Sequence, residues 1–222
     1  MSRLVVKCGG AVAAEAAETI LGLASTGAEL CVVHGAGPQI TAEMQRFHVP
    51  VQFVGGRRVT TPAGLMLVRA ALEATNRSLC AALGPDAVGL LGDEIGLEAV
   101  TVPGLGLVGE PLPSRPAAVE DALAAGKIPV VAPLARGPLN VNADEAAAAL
   151  AIGLEAERLL FVTDVPGLLL EGAVVTSIEA VEVDRLLSQG DLDGGIVPKL
   201  RAAVTAAKLG VRAEIGDTAV VA

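Results

Sequence analysis

Three short polar clusters follow strand-like segments of this sequence, and each combines glycines with groups that can contact an anion. The clusters are KCGG at 7–10, HGAGPQI at 34–40 and TDVPGL at 163–168. Glycines let backbone N–H groups come close to a ligand, and a helix N-terminus favours a negative charge. Any one cluster can be explained as an ordinary strand-to-helix turn. The three together, one of them carrying Lys7, favour an anionic ligand such as a phosphate.

Two further stretches place cationic side chains beside glycine pairs. GGRRVT at 55–60 contains Arg58, and arginine suits the bidentate recognition of a carboxylate. LDGGIVPKL at 192–200 places Lys199 near the start of an alanine-rich helix. Taken alone, either side chain is equally well explained as a solvated surface charge.

The segment LNVNADEAAAAL at 139–150 places two amides and a carboxylate at a predicted helix start. Asn142 or Asp144 is expected to be the N-cap of that helix, since both residue types accept hydrogen bonds from first-turn amides. Such a capping role does not exclude a second role for the same residue.

Other nucleotide motifs fit this sequence poorly. A Walker A sequence is absent, and so are the signatures of protein kinases. GLGLVG at 104–109 matches the dinucleotide fingerprint, but Pro111 and Pro113 follow where that fingerprint needs a helix. Of the two histidines, His34 is expected to be a structural residue at a strand end and His48 a surface loop residue. The sequence is therefore short of candidate general bases.

The elements that position these groups alternate between strand and helix. Strands are predicted at 3–8, 28–34, 87–91, 127–133, 158–164 and, as the last one, 211–216; helices at 11–25, 38–47, 61–83, 117–126, 143–156 and 199–210; a hairpin and loop at 103–116. Most strands are continuous runs of valine, leucine and isoleucine, which is typical of buried parallel strands. The pattern predicts an α/β sandwich with a mostly parallel sheet.

Composition excludes several classes of function. The chain has a net charge of −9 and only three aromatic residues, all Phe, which argues against a nucleic-acid partner. No uninterrupted apolar stretch is long enough to span a bilayer. The three cysteines are widely spaced and predict a reducing, cytoplasmic environment rather than a disulfide framework or a zinc site.

Taken in order, these clusters resemble the amino acid kinase family over nearly the whole chain. KCGG and HGAGPQI are similar to the two glycine loops of that family, and GGRRVT, NVNADEAA, TDVPGL and GGIVPKL look most like its acetylglutamate kinases. The resemblance implies a three-layer α/β/α sandwich with a mostly parallel central sheet and two lobes. Residues 1–154 would bind the acyl amino acid, and residues 155–222 would bind ATP.

The implied reaction transfers the γ-phosphoryl group of ATP to the side-chain carboxylate of N-acetyl-L-glutamate, a step of arginine biosynthesis. Mg²⁺ would be held through the ATP phosphates, with no metal ligand from the protein. By the same resemblance, Lys7 and Lys199 stabilise the transferring group and Asp144 orients both lysines. The acyl amino acid would be bound by Gly35, Ala36, Gly37, Arg58, Asn140 and Asn142. The nucleotide would be contacted by Gly9, Gly10, Thr163, Asp164, Val165, Gly167, Gly194 and Gly195.

The residue inventory agrees with this chemistry. A glutamate-type carboxylate has a pKa of about 4.3, so the acceptor is already ionised at neutral pH and needs no general base. Phosphoryl transfer is catalysed mainly by positioning and by charge stabilisation. Lysines, glycine-loop amides and a metal ion meet that requirement without a histidine.

Three departures from the family pattern affect what the resemblance implies. Ala36 stands where the family usually has glycine, which requires a negative φ at that position. A segment and helix that the family has after the VRAEI-like strand are absent, so a small nucleotide lobe is expected. No helix precedes the first strand, and in the family that helix accompanies arginine-inhibited hexamers. A homodimer without arginine feedback is therefore expected.

Two alternatives remain open at this point. A kinase of the same family could act on a carrier-linked aminoadipate or glutamate, although GGRRVT and NVNAD favour acetylglutamate and the acidic chain offers no basic docking surface. A catalytically silent module could instead sense an amino acid or nucleotide. Retention of Lys7, Lys199 and Asp144 argues against the silent module, and the short nucleotide lobe argues for it.

Overall fold

The computed structural model describes residues 2–9, 13–163, 165–190, 192 and 194–222. Its helices are α1 (Ala13–Ala24), α2 (Gly37–Arg46), α3 (Pro62–Leu83), α4 (Ala117–Ala124), α5 (Ala143–Gly153), α6 (Ala180–Gln189) and α7 (Ile196–Lys208). Its strands are β1 (Arg3–Cys8), β2 (Glu29–His34), β3 (Phe53–Val54), β4 (Arg57–Arg58), β5 (Ala87–Leu91), β6 (Ala99–Thr101), β7 (Val108–Pro111), β8 (Ile128–Ala132), β9 (Leu134–Ala135), β10 (Leu139–Val141), β11 (Arg158–Val162), β12 (Leu169–Leu170), β13 (Ala173–Val174), β14 (Ser177–Glu179), β15 (Arg212–Ile215) and β16 (Thr218–Val221).

The main sheet has eight strands in the order β14-β16-β15-β11-β1-β2-β8-β5. Every neighbouring pair is parallel except β15 and β16, which are antiparallel. The expectation of a mostly parallel sheet is confirmed. Because β1 lies in the middle, the segment that follows it is flanked by the ends of β2 and β11.

Helices cover both faces of this sheet and make three layers. Alternate residues of β1 point to opposite sides, as a strand requires: Val5 joins a core with α4, α5, α6 and α7, whereas Leu4 and Val6 join a core with α1 and the end of α3. A third apolar cluster lies between α2 and α3. The predicted α/β/α sandwich is confirmed.

Helix α5 is buried along most of its length because alanines leave room on every side. Residues 146–151, AAAALA, are all buried between the sheet and α7. A helix that is apolar all round belongs inside a fold. The alanine run therefore holds the polar N-terminus of α5 at a fixed place above the sheet.

All six predicted helices and all six predicted strands are present, with ends that differ by a few residues. The prediction that 211–216 is the last strand is wrong, because β16 returns antiparallel to β15 after a turn at Gly216 and Asp217. Helix α6 was missed, although the spacing of Ala180, Val183 and Leu186 marks one buried helix face.

The hairpin predicted at 103–116 is present but begins earlier, because its first strand, β6, is Ala99–Thr101. β7 pairs antiparallel with β6, and the GLGLVG sequence forms the turn and the start of β7 rather than a phosphate loop before a helix. Among the described residues, no helix has both the length and the apolar content that crossing a bilayer requires.

Candidate active site

The predicted polar clusters begin side by side at one edge of the main sheet. Lys7 is in register with Val33 of β2 and with Phe161 of β11. The carboxyl ends of three adjacent parallel strands therefore meet at the same edge, which is where open α/β sheets bind ligands. A backbone hydrogen bond of 2.9 Å from the Gly35 amide to the Cys8 carbonyl joins the first two clusters.

Lys7 projects from β1 to the N-terminus of α5, where its Nζ lies 2.8 Å from Oδ1 of Asp144. Both side chains are buried. Asn142 is the N-cap of α5, as one of the two alternatives predicted, and its Oδ1 accepts hydrogen bonds from the amides of Asp144 (2.8 Å) and Glu145 (3.2 Å). The cap and the helix dipole both favour a carboxylate at this position. The ammonium group of Lys7 is thereby held in a fixed direction.

Arg58 is a buried cation that has no carboxylate partner among the described residues. One guanidinium nitrogen, Nη2, donates to the carbonyl of Gly37 (3.1 Å) and to the hydroxyl of Thr41 (2.8 Å). The guanidinium carbon also lies 4.5 Å from the ring centroid of Phe53. Burial lowers the pKa of Arg58 from its ordinary value. A buried guanidinium held only by neutral groups is a binding site for an anion.

Asn140 is fixed in place by the hydroxyl of Thr60. The Asn140 Nδ2 donates to Thr60 Oγ1 at 3.0 Å, and that hydroxyl donates to the Arg58 carbonyl at 2.7 Å. These two hydrogen bonds connect β10 to β4, the strand that carries the buried Arg58.

These side chains surround one cavity of about 270 Å³. Its lining includes nine predicted site residues: Lys7, Gly9, Gly35, Ala36, Gly37, Arg58, Asn140, Asn142 and Asp144. The φ angle of Ala36 is −142°, so alanine is accommodated without strain where the resemblance leads one to expect glycine. Two cationic side chains and the N-terminus of α2 make this cavity suitable for a small anion.

The 163–168 segment is attached to the β15–β16 turn. The Leu168 amide donates to Thr218 Oγ1 at 2.8 Å, and a Cβ on Gly167 would lie 2.5 Å from that same oxygen. Gly167, whose φ is +142°, is therefore required for packing. The Val165 amide donates to Thr163 Oγ1 at 3.5 Å. The predicted site residues Gly10 and Asp164 lie outside the described residues.

Lys199 lies in the first turn of α7, where its Nζ donates to the carbonyl of Gly195 at 3.1 Å. Gly194 and Gly195 are exposed just before this turn. Lys199 is not among the described residues that line the 270 Å³ cavity. Its neighbour Pro198 contacts the β3–β4 turn, since a Cβ on Gly56 would lie 3.0 Å from the proline ring. Helix α7 thus begins beside the hairpin that carries Arg58.

His34 is a buried structural residue, as predicted. Asn76 Nδ2 lies 3.1 Å from His34 Nε2 and also donates to the Val130 carbonyl at 2.8 Å. Burial lowers the pKa of His34 to about 4. The imidazole is therefore neutral at physiological pH. The other histidine, His48, is exposed, as expected.

Sequence reasoning missed several side chains that shape the site. Phe53, Thr41 and Thr60 support the two ligand-facing residues described above, and Glu145 and Glu110 form ion pairs with Arg57. The sequence contained one signal for Glu145. Asp144 and Glu145 are consecutive acidic residues at a helix start, where negative charges are favoured. The others become neighbours only through the chain path.

Comparisons with known proteins agree with this geometry. The model of the amino acid kinase family matches residues 2–217. An acetylglutamate kinase of Rubrobacter xylanophilus is 43% identical over 97% of this chain and 88% of its own length, and one of Geobacillus stearothermophilus is 38% identical over 91% and 84%.

Among solved structures, smu.665 from Streptococcus mutans UA159 superposes with a TM-score of 0.88 at 29% identity, covering 99% of this chain and 98% of that one. Sequence and structure therefore point to one group of proteins. The chain belongs to the amino acid kinase family.

Proposed function

We propose that this protein is an acetylglutamate kinase, which transfers the γ-phosphoryl group of ATP to the side-chain carboxylate of N-acetyl-L-glutamate in arginine biosynthesis. The observation that carries the proposal is the cavity lined by Lys7 and by a buried arginine, Arg58, that has no carboxylate partner in the described chain. Acetylglutamate kinases at 38–43% identity over most of the chain support the substrate.

The substrate would bind with a carboxylate on Arg58, whose guanidinium is already oriented by Gly37 and Thr41. Asn140 and Asn142 would complete the binding of the acyl amino acid, and the amides of Gly35, Ala36 and Gly37 would approach the phosphates. The acceptor carboxylate needs no base, because it is ionised at neutral pH. The site then has to hold two anions close together, the acceptor carboxylate and the phosphate chain of ATP.

Lys7 would neutralise charge on the transferring phosphoryl group, with Asp144 holding its ammonium in place. Lys199 would approach the same group from the start of α7, and Asp144 would orient it as well. Gly9, Gly10, Gly194 and Gly195 would contact the phosphates, and Thr163, Asp164, Val165 and Gly167 would lie near the nucleotide. In this arrangement residues 1–154 act as the acyl amino acid lobe and residues 155–222 as the ATP lobe.

Mg²⁺ would be held through the ATP phosphates rather than by a protein cage. Within the described residues no three His, Cys, Asp or Glu side chains are grouped as metal ligands, and Asp144 is already paired with Lys7. Magnesium commonly keeps its waters and binds through substrate phosphates. When bound, it supplies further positive charge to the phosphate chain.

The test is a hydroxylamine-trapped acyl-phosphate assay with ATP and Mg²⁺, comparing N-acetylglutamate, free glutamate and aminoadipate. Hydroxamate is expected from N-acetylglutamate at a much higher kcat/KM than from the other two. A preference for aminoadipate would favour the carrier-linked reaction. Binding of N-acetylglutamate without hydroxamate would indicate the silent sensing module.

We also propose that the protein is a cytoplasmic homodimer. Its three cysteines are unpaired, which suits a reducing compartment. Strand β5 ends the main sheet with an open edge, and Met66 on the neighbouring helix α3 is 74% exposed. Light scattering after size exclusion should give twice the 22.2 kDa chain mass. A mass of one chain at micromolar concentration would contradict the dimer.

A further inference from the structure

The two arginines of β4 point to opposite sides of the β3–β4 hairpin, as consecutive strand residues must. Arg58 faces α2 and the substrate cavity. Arg57 faces α5 and β7. Its Nε lies 2.9 Å and 3.1 Å from the two carboxylate oxygens of Glu145, and its Nη2 lies 3.0 Å from Glu110 Oε2. The hairpin thus carries one arginine for the cavity and another that attaches it to the rest of the protein.

Other contacts of this hairpin include the hydrogen bonds of Arg58 with α2 and the packing of Pro198 on Gly56. It is a separate two-stranded sheet of two residues per strand, and such a unit is not stable alone. Phe53 is 53% exposed and Val54 is 48% exposed. At the turn, Asn142 Nδ2 donates to the Gly56 carbonyl at 3.2 Å. The ion pairs of Arg57 are the contacts that attach the hairpin to Glu145 of α5 and Glu110 of β7.

Empty space lies behind the hairpin. A second cavity, of about 420 Å³, is lined by Arg57 together with Leu105, Ile152 and Arg201. Arg57 also lines the substrate cavity, so its ion pairs form part of the wall between the two spaces. Because no packed core fills the space behind, loss of these ion pairs would loosen the hairpin on the side that faces α5.

The partner of Arg57 is adjacent to the residue that holds Lys7. Asp144 and Glu145 are consecutive in the first turn of α5, and the Asn142 cap binds both of their amides. One turn of helix therefore fixes both the phosphoryl-facing lysine and the hairpin that carries Arg58.

The charges of this cluster depend on one another. Burial would lower the pKa of Arg57, but hydrogen bonds and charge from Glu145 and Glu110 outweigh that effect and raise it. Burial raises the pKa of Glu145, and its pairing with Arg57 opposes the rise. Removal of Arg57 leaves Glu145 part-buried with an uncompensated charge, whereas removal of Glu145 leaves Arg57 with Glu110 as its carboxylate partner.

We propose that Arg57 is a positioning residue that, through Glu145, holds the β3–β4 hairpin closed and thereby places Arg58 for substrate binding. The inference rests on the proposed function. If the closed hairpin is the binding-competent form, the apparent affinity falls in proportion to the closed fraction. The effect should therefore appear in the KM for the acyl amino acid more than in kcat.

The test measures kcat and KM for Arg57→Met, Glu145→Met and the double variant. Each single change should raise the KM for N-acetylglutamate about tenfold, the size expected for one charge-assisted hydrogen bond. The double variant should have the KM of Arg57→Met, since that change already removes the contact with Glu145. Arg57→Lys should restore part of the affinity. Arg201→Met is the matched control. Arg201 lines the same 420 Å³ cavity but makes no ion pair within the described chain, so this variant should keep the wild-type KM.

Two results would overturn the inference. The first is an unchanged KM for N-acetylglutamate in Glu145→Met, which would mean that Arg57 binds the substrate directly. The second readout is amide hydrogen exchange of residues 53–58 without substrate, which should be faster in both single variants than in wild type and in Arg201→Met. Equal exchange in all four proteins contradicts the positioning role. A wild-type protein that forms no hydroxamate would refute the proposed function instead, and the exchange result would still decide this inference.

Discussion

The charged side chain of Lys7 is buried, and removal of a charge from water costs free energy that its interactions must offset. Replacement of a buried ion pair by apolar residues is often neutral or stabilising, so the pair with Asp144 is weak evidence for a role in stability. Its position beside the cavity, one strand away from the HGAG loop, gives it access to a bound anion. A role in charge stabilisation accounts for both observations.

We expect Lys7→Ala to lower turnover by roughly 10²–10³-fold, as removal of one transition-state donor commonly does. The measurement is the hydroxylamine-trapped rate at saturating substrates. Lys127→Ala is the control, because that lysine forms an exposed ion pair with Asp86 on the surface. Circular dichroism should show both variants folded. Turnover of Lys7→Ala near the wild-type rate would contradict the assigned role.

At the scale of the elements, the substrate cavity depends on a contact between two loops. Thr60 and Gly106 form an isolated parallel bridge, and the Thr60 carbonyl accepts a hydrogen bond from the Leu107 amide at 2.7 Å. The same threonine binds Asn140 through its hydroxyl. The β6–β7 turn therefore supports the substrate site from outside it.

Gly106→Ala should destabilise the protein more than Gly104→Ala. Both glycines have positive φ, +76° and +80°, so each substitution costs about 1–2 kcal/mol of backbone strain. Only at Gly106 would the new Cβ meet another atom closely, 2.3 Å from the Thr60 carbonyl oxygen. That overlap should add about 1–3 kcal/mol. Urea unfolding of both variants measures the difference, and equal free energies of unfolding would show that the bridge tolerates displacement.

At the scale of the whole molecule, a neutral histidine is built into the centre of the fold. His34 ends a central strand and is 1% exposed, with Asn76 as its hydrogen-bonding neighbour. Its pKa is about 4 in the folded protein, compared with an ordinary value of 6.5. Between these values the unfolded chain binds more protons than the folded one. The free energy of unfolding therefore decreases as the pH falls from 6.5 to 4.

We expect this histidine to account for roughly 3 kcal/mol of the stability lost between pH 7 and pH 4. Urea unfolding across that range should show a shallower pH dependence for His34→Gln than for wild type, even if His34→Gln is less stable at pH 7. His48→Asn removes the only other histidine, which is exposed, and should keep the wild-type slope. Identical slopes in all three proteins would mean that His34 titrates normally.

Six helices, six strands and the glycine loops at strand ends were accessible from the sequence, and the cap of α5 was narrowed to Asn142 or Asp144. Apolar periodicity, capping and turn chemistry act over a few residues, so the chain records them locally. The fold class followed, because alternating helices and buried strands have few ways to pack. The mostly parallel sheet was predicted in this way, whereas the central position of the strand that carries Lys7 is known only from the strand order of the structure.

Only the tertiary structure decides which charged side chains become partners. Strand alternation separates Arg57 from Arg58, but only the path of the chain places Arg58 against the Phe53 ring and brings Glu110 and Glu145 to Arg57. The antiparallel β16 likewise depends on pairing with β15 across one short turn. Ion pairs and strand pairings join residues far apart in the sequence, and their energies depend on burial, which no local pattern specifies.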